Sequence, residues 1–311
     1  MATHAQAVVT KLDVQPKEVH VSRSLTQMAL RRLRHDYLTL IALSIIIVIT
    51  ALSFAAPLVT NVLGVSPTRT QTDKTFLPPG SPVHIFGTDD LGRDHLARLL
   101  YAGQISLKIA FSAAALSLTI GVALGIITGY YGGVIDDMIN WLIATLTSVP
   151  ILFLLLIISS VLRSLSDAPP SDVTLIIALG FIGWTGTTRI VRGETLSLRE
   201  REYVLSARAV GASSWRIMFV HMLPNLISVI IITLAIDIGS LILVEAALSF
   251  LGLGVMPPTP SWGNMLSNSQ TFFNKGVWLV IFPGLLIFIT VLCMYVMGDG
   301  IRDAFDPTAR N

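Results

Sequence analysis

The chain has 311 residues, of which 53% are hydrophobic and 13% charged, with a mean hydropathy of +0.73. Soluble domains carry about 25% charged residues, so a chain this poor in charge cannot cover a globular surface and must present much of itself to lipid. The net charge of +2 excludes nothing by itself. The single cysteine, Cys293, lies in an apolar run; it rules out an internal disulfide and leaves no cysteine cluster for zinc or iron–sulfur. Inert packing is its expected role.

Residues 1–23 show no periodicity and are expected to be loose. From Ser24 to Tyr37, apolar Leu25, Met28, Ala29 and Leu33 recur at helical spacing beside arginines. That pattern predicts a helix lying on the membrane surface, although a basic helix could instead bind a partner. The long polar N-terminus argues against a cleaved signal peptide. Spanning a bilayer takes about 20 apolar residues as helix. Six runs qualify, at about Tyr37–Leu58, Ile105–Tyr130, Ile135–Leu162, Val173–Ile190, Leu226–Leu248 and Val277–Met297. The expected fold is an all-α integral membrane protein with six transmembrane helices. Its parts are a tail with the surface helix (1–36), a first span with an external loop (37–104), a core with five further spans (105–299) and a short tail (300–311). The core includes a polar connection at 194–224.

Lys and Arg near span ends set orientation. Lys11, Lys17, Arg23, Arg31, Arg32 and Arg34 precede the first span, and Arg192, Arg199, Arg201, Arg208 and Arg216 flank the polar connection. Arg302 and Arg310 lie in the C-terminal tail. The opposite loops hold Arg69, Lys74, Arg93, Arg98, Arg163 and Lys275, but the first of them offsets its charge with Asp73, Asp89, Asp90 and Asp94. The balance predicts both termini and the 194–224 connection in the cytoplasm.

That connection is the most informative stretch. Glu200 to Val210 forms a helix by composition. Gly211 can end it in the left-handed conformation, and Ser213 can cap a second helix, Ser214–Met222. Pro224 restricts its predecessor and marks the join to the fifth span. Two short helices at an angle make a rigid knob, suited either to docking another protein or simply to anchoring the turn.

In the loop after the first span, Thr88 is a candidate cap for a helix with Asp89 and Asp90 in its first turn. Asp89, Asp90, Arg93 and Asp94 then become candidate contacts for an external protein or a partner subunit, against the plainer reading of a capped helix resting on the outer surface. Asp237 and Glu245 fall inside the fifth span, where ionisable residues are costly and face protein or water. Eight residues apart, they point about 80° from each other on a helix. Either could line a translocation path or bond across helices, and Glu245, just before a glycine-rich stretch, could act at a gate.

No Gly-x4-Gly-Lys-Ser/Thr loop, His-Glu-x-x-His or Gly-x-Ser-x-Gly occurs. A membrane enzyme therefore lacks a site, no metal site is expected, and nothing points to nucleic acid. A stand-alone secondary transporter would often show inverted repeats, and the halves show no convincing one.

The segment from Glu200 to Asn225 resembles the EAA loop of bacterial ABC importer permeases, which reads Glu-Ala-Ala, three residues, Gly, nine residues, Ile-x-Leu-Pro. Leu205-Ser206-Ala207 stand at the Glu-Ala-Ala positions, Gly211 at the glycine and Leu223-Pro224 at the end, with His221 in place of isoleucine. Phe86-Gly-Thr-Asp-Asp-Leu-Gly-Arg-Asp94, Gly129-Tyr-Tyr-Gly-Gly133, Leu248-Ser-Phe-Leu-Gly-Leu-Gly254, Pro260-Ser-Trp-Gly-Asn264 and Asp303-Ala-Phe-Asp-Pro307 resemble the dipeptide/oligopeptide (DppC/OppC-like) branch.

The resemblance implies half of a translocation pathway for peptides in a prokaryotic cytoplasmic membrane. Its implied partners are a homologous DppB/OppB-like permease, two ATPase subunits carrying ATP and Mg2+, and an external binding protein. Relatives in this branch also carry nickel complexes, glutathione or oligosaccharides. No cofactor is implied in this chain itself. The coupling loop would comprise Glu202, Leu205, Ser206, Ala207, Arg208, Gly211, Ala212, Ser213, Arg216 and Pro224. Leu205 replaces the acidic residue, so a carboxylate contact at that point is absent or taken over by Glu202 or Glu200.

Overall fold

The computed structural model describes residues 25–164 and 169–305; the expectations for residues 1–24 and for the tail from residue 306 lie outside them. Among these residues the regular structure is helical, apart from one isolated β-bridge between Thr88 and Asp94. In chain order the helices are α1 (Leu25–Leu33), α2 (Tyr37–Phe54), α3 (Ala56–Leu63), α4 (His95–Tyr131), α5 (Gly133–Thr147), α6 (Ile151–Arg163), α7 (Ser171–Arg199), α8 (Glu202–Ala209), α9 (Ser214–Arg216), α10 (Leu223–Phe250), α11 (Ser269–Lys275) and α12 (Trp278–Phe305). A π-helical stretch, Ile217–Met222, joins α9 to α10 without a break.

Five helical runs are long and apolar enough to cross a bilayer: α2, α4, α7, the α9–α10 run and α12. The third expected span differs. It is not one helix but the pair α5 and α6, bent by 91° between Thr147 and Ile151. Pro150 is the cause: it has no N–H to donate and pushes Val149 out of the helical region. At 1.5 Å per residue the two arms are about 22 and 20 Å long, each short of a hydrocarbon core of about 30 Å. Six crossings therefore require α5 and α6 together to make one.

The closest helix pairing is α4 with α7. Gly121, Gly125 and Gly129 recur every four residues on α4 and face Thr187, Val191 and Thr195 on α7. A Cβ at these glycines would lie 2.6–2.7 Å from the Cβ of the facing residue, closer than carbon atoms approach. Farther along, the relation reverses, with Gly180 and Gly183 on α7 facing Leu116 and Ser117 on α4. Small residues thus let two backbones meet, which is how helices associate where lipid removes the hydrophobic drive. Ion pairs flank the seam: Lys108 of α4 meets Asp172 of α7 at 2.7 Å, and at the other end Arg192 of α7 is bidentate to Asp136 of α5, with an Nη2–Oδ2 distance of 2.5 Å.

The other helices wrap this pair. Gly239 of α10 lies against Met294 of α12, and Gly298 against Ile236 and Ala235, so the two run antiparallel. The end of α12 therefore reaches the coupling-loop end of the bundle. There α1 packs on α12 with Ala29 buried, instead of resting on a membrane surface alone. Asp36 caps α2 by accepting from the Leu38 N–H and also bonds the Thr39 hydroxyl, which lies against Gly300 of α12. The first and last described helices thus share the end that carries the 200–213 loop.

Overfilling a packed core costs about 1–3 kcal/mol. Gly125→Leu is expected to force α4 from α7 and lower thermal stability in detergent, read by fluorescence-detected gel filtration. Gly193→Ala, where nothing lies within 4 Å of the added Cβ, is expected to leave stability unchanged. Equal stability of the two variants would refute the seam.

Candidate coupling loop and membrane carboxylates

The 200–224 loop is fastened to the bundle by its own apolar cluster. Val204 of α8, Ile217, Met218 and Met222 of the π-helical stretch, and Leu226 of α10 are buried together with Ile126 and Tyr130 of α4 and Val191 of α7. Only Glu200 and Arg201 separate α7 from α8. Tyr130 ties the cluster further: Arg208 stacks over its ring at 5.5 Å, and its hydroxyl lies 3.4 Å from the Ser214 Oγ.

Gly211 has φ +84°, the left-handed conformation expected from its position. The Ala212 N–H bonds the Ala207 carbonyl and the Gly211 N–H bonds the Arg208 carbonyl, each at 3.0 Å. This pair of bonds is the Schellman closure of a helix C-terminus. Ser213 caps α9, its Oγ accepting from the Arg216 N–H.

The second helix differs from expectation, since it does not stop at Pro224. The chain stays helical from Ser214 into α10, with Pro224 in the first turn of α10. Pro224 has no N–H to give the turn before it, and the wider π-helical turn there makes room for the ring. The knob is therefore α8 standing off the foot of a long helix. Its outward ridge is Glu202, Leu205, Ser206 and Ala209, with Val210 at the tip, 86% exposed.

A sequence profile for the family described as "Binding-protein-dependent transport system inner membrane component" matches residues 121–311, and one for the "N-terminal TM domain of oligopeptide transport permease C" matches residues 24–79. The dipeptide transport system permease protein DppC of Haemophilus influenzae is 37% identical, over 86% of this chain and 90% of its own length. The oligopeptide transport system permease protein OppC of Bacillus subtilis is 38% identical over 93% and 92%. The chain belongs to the binding-protein-dependent transport permeases. A chain from an inward-facing MetNI methionine ABC transporter shares the fold, with a TM-score of 0.54 over 67% of this chain and 96% of that one, at 17% identity.

In this permease the two membrane carboxylates differ. Glu245 is fully buried, its Oε2 accepting from the Ser106 Oγ at 2.9 Å and its Oε1 from the Ser249 Oγ at 2.7 Å. The same two hydroxyls in turn accept from the Trp262 and Val255 N–H groups. Glu245 thus holds α4, α10 and the chain after α10 together and faces no open surface, the cross-helix bonding that was the alternative to a path or gate position. Asp237 is half-buried and accepts from the Thr187 Oγ1 at 3.0 Å across α10 and α7.

The two resemblance motifs beyond Glu245 form the closure of this end. Gly252 (φ +75°) ends α10 with the same Schellman bonding, Leu253 N–H to the Leu248 carbonyl and Gly252 N–H to the Ser249 carbonyl. Trp262 is buried and donates Nε1–H to the Leu99 carbonyl, while the Asn264 amide bonds the Val255 and Thr259 carbonyls.

The external loop also corrects the expectation. Thr88 caps no helix: its Oγ1 donates to the Lys74 carbonyl and accepts from the Leu77 N–H. Asp94 caps α4 instead, accepting from the Ala97 N–H at 2.7 Å, and bonds His84 at 2.8 Å. Asp89 is buried, paired with Arg93 at 2.7 Å and Arg98 at 3.4 Å. Asp89 and Asp94 are therefore internal ties rather than outward contacts; Asp90 and Arg93 are partly exposed. Charges in a loop read as surface, and only the positions of Arg93, Arg98 and His84 turn them inward.

Ser106 serves both Glu245 and the Trp262 N–H, and each abandoned buried partner costs about 1–3 kcal/mol. Ser106→Ala is expected to lower the unfolding temperature of the purified permease, measured by differential scanning fluorimetry. An unchanged midpoint would show that the network holds nothing.

Proposed function

We propose that this chain is one of two homologous permease subunits of an ATP-driven importer for di- and oligopeptides in a prokaryotic cytoplasmic membrane. An external binding protein delivers the peptide, and two ATPase subunits, which carry the ATP and Mg2+, dock on the 200–224 loop from the cytoplasm. Peptides are proposed because the relatives above carry dipeptide and oligopeptide transport in their names. The cytoplasmic side is assigned from the arginines gathered at that end.

The observation that carries the coupling role is the fastening of the knob. Val204 and its cluster tie α8 to α4, α7 and α10 at once, so a push on α8 reaches three spans through packed side chains. A flexible turn would absorb that displacement. At the Leu205 position, 43% exposed, the docking contact is apolar. Glu202, one turn away on the same ridge, supplies the carboxylate. Asp237 is the candidate to meet a peptide's ammonium group in the pathway.

Gly211→Val places a β-branched side chain at φ +84°, a conformation costing such residues about 1–2 kcal/mol. The variant is expected to reach the membrane in normal amount, retain less ATPase on co-purification and lose ATP-dependent peptide uptake. Normal uptake would sink the coupling role. Separately, Asp237→Asn is expected to reduce uptake of peptides with a free N-terminus more than of N-acetylated ones; equal effects on both would remove Asp237 from substrate contact.

A further inference from the structure

Arg189 is a cation that the fold leaves without a counterion. It falls inside the fourth apolar run, and among the described residues it has no ion pair. Its one partner there is the Thr147 Oγ1 of α5, to which Nη2 donates at 3.3 Å. Its depth follows from the neighbouring turn. Thr187 donates to Asp237, which stands halfway along the 28-residue α10, and Arg189 comes two residues later, about 3 Å along the α7 axis. An exposed arginine this far into a bilayer is costly against lipid, so the surface it faces is covered by protein or filled with water.

The face of α7 around it is open. Gly186, Arg189, Ile190, Gly193, Glu194 and Ser197 are exposed, with Ile190 the one large apolar side chain of the six. A Cβ added at Gly186 or Gly193 would have nothing within 4 Å. This face points away from Val191 and Thr195, which meet α4. It is also flanked by charge. Thr187 bonds Asp237 on the side that carries α10. Arg189, about 200° around the helix from Thr187, is drawn by Thr147 to the side that carries α5. A carboxylate and a guanidinium therefore border one open surface at nearly the same depth.

A plainer use for Arg189 is to sit beside the C-terminus of α5, where a cation is favourable. That accounts for one of five guanidinium donors and supplies no negative ion. The group whose two oxygens match the planar fork is a carboxylate. A peptide with free termini carries one carboxylate and one ammonium group, the complement of the two charges that border this face.

We propose that Arg189 binds the C-terminal carboxylate of the peptide in the pathway, across the open face of α7 from Asp237. This rests on the peptide-importer function proposed above; the unpaired arginine and the open face do not.

The test uses the assembled importer in proteoliposomes with ATP enclosed. The binding protein is supplied preloaded with trialanine or with trialanine amide, so that delivery is the same for every permease variant. Arg189→Gln is expected to lower kcat/KM for trialanine roughly ten- to hundredfold, the range that loss of a charge-assisted bond implies, and to affect the amide far less. Arg189→Lys, a cation without the fork, is expected to fall between the wild type and Arg189→Gln. Equal losses for both peptides overturn the proposal and make Arg189 an anchor of α5 or a contact of the partner permease. No loss for either overturns it as well.

A second measurement needs no turnover, and it decides where the amide is carried too slowly to compare. The importer is held in lipid nanodiscs with ¹⁵N-arginine in the permease alone, and the unlabelled binding protein delivers ¹³C-carboxyl trialanine. A through-space contact between the labelled carboxylate and a permease guanidinium is expected by solid-state NMR, and its loss in Arg189→Gln. No contact in the wild type, or one that survives the substitution, overturns the site. Failure of the wild-type complex to take up trialanine with ATP would instead remove the peptide-importer function, because the contact is read without ATP.

Discussion

The close approach of α4 and α7 is the constraint on which the other contacts depend. In lipid, two apolar helices gain little by leaving the hydrocarbon for each other; what they gain is dense packing, and that requires small residues. Gly121, Gly125 and Gly129 provide it over about 12 Å of helix, and Gly180 and Gly183 continue it from the other side. The Lys108–Asp172 pair then fixes α4 against α7 at one end, and at the other Arg192 anchors α7 to Asp136. Arg192 is the more constraining because its fork meets both carboxylate oxygens of Asp136, which also ties in the start of α5.

Each end of this pair is finished differently. At the end that carries α8, the closure is apolar: Val204, Ile217, Met218 and Met222 pack on Ile126, Tyr130 and Val191, and the ridge of α8 stays exposed. At the opposite end the closure is polar and internal. Glu245 sits between two serine hydroxyls that also serve backbone N–H groups, and Asp89 and Asp94 take up the charges of the loop before α4. Both ends use the same glycine device to stop a helix, at Gly211 and at Gly252. One finishes as a protruding knob and the other as a lid of folded chain over the bundle.

Much of this was legible in the residues, for identifiable reasons. Span positions follow from apolar length, and Gly211 followed from the need for a positive φ after a helix of good formers. The break at Pro150 was visible as a proline but not as a 91° turn, because hydropathy carries no direction and both arms are apolar. The seam glycines stood four apart in the sequence, yet nothing local says that Thr187, Val191 and Thr195 would face them. Asp89, Asp94 and Glu245 were left with two readings each for a shared reason. Whether a carboxylate is a tie or a contact depends on partners distant in sequence, such as Ser106, 139 residues from Glu245, and no short-range pattern encodes them.

The same pairing logic separates the two membrane carboxylates and indicates what can move. Glu245 is bonded on both oxygens and enclosed, so displacing α10 from α4 near this point would strip a buried carboxyl group of its partners, at a cost of about 1–3 kcal/mol for each group left unpaired. Asp237 has one side-chain partner, the Thr187 hydroxyl, and is only half-buried. A shift of α7 against α10 at that level gives up a single hydrogen bond, a net cost of about 1 kcal/mol. Under the proposed coupling, a push on α8 reaches α4, α7 and α10 through the Val204 cluster, and the seam makes α7 inseparable from α4. The contact between this pair and α10 then yields first at Asp237, while Glu245 holds the opposite end. Under that proposal the single Asp237–Thr187 bond gives way at less cost than the Glu245 network.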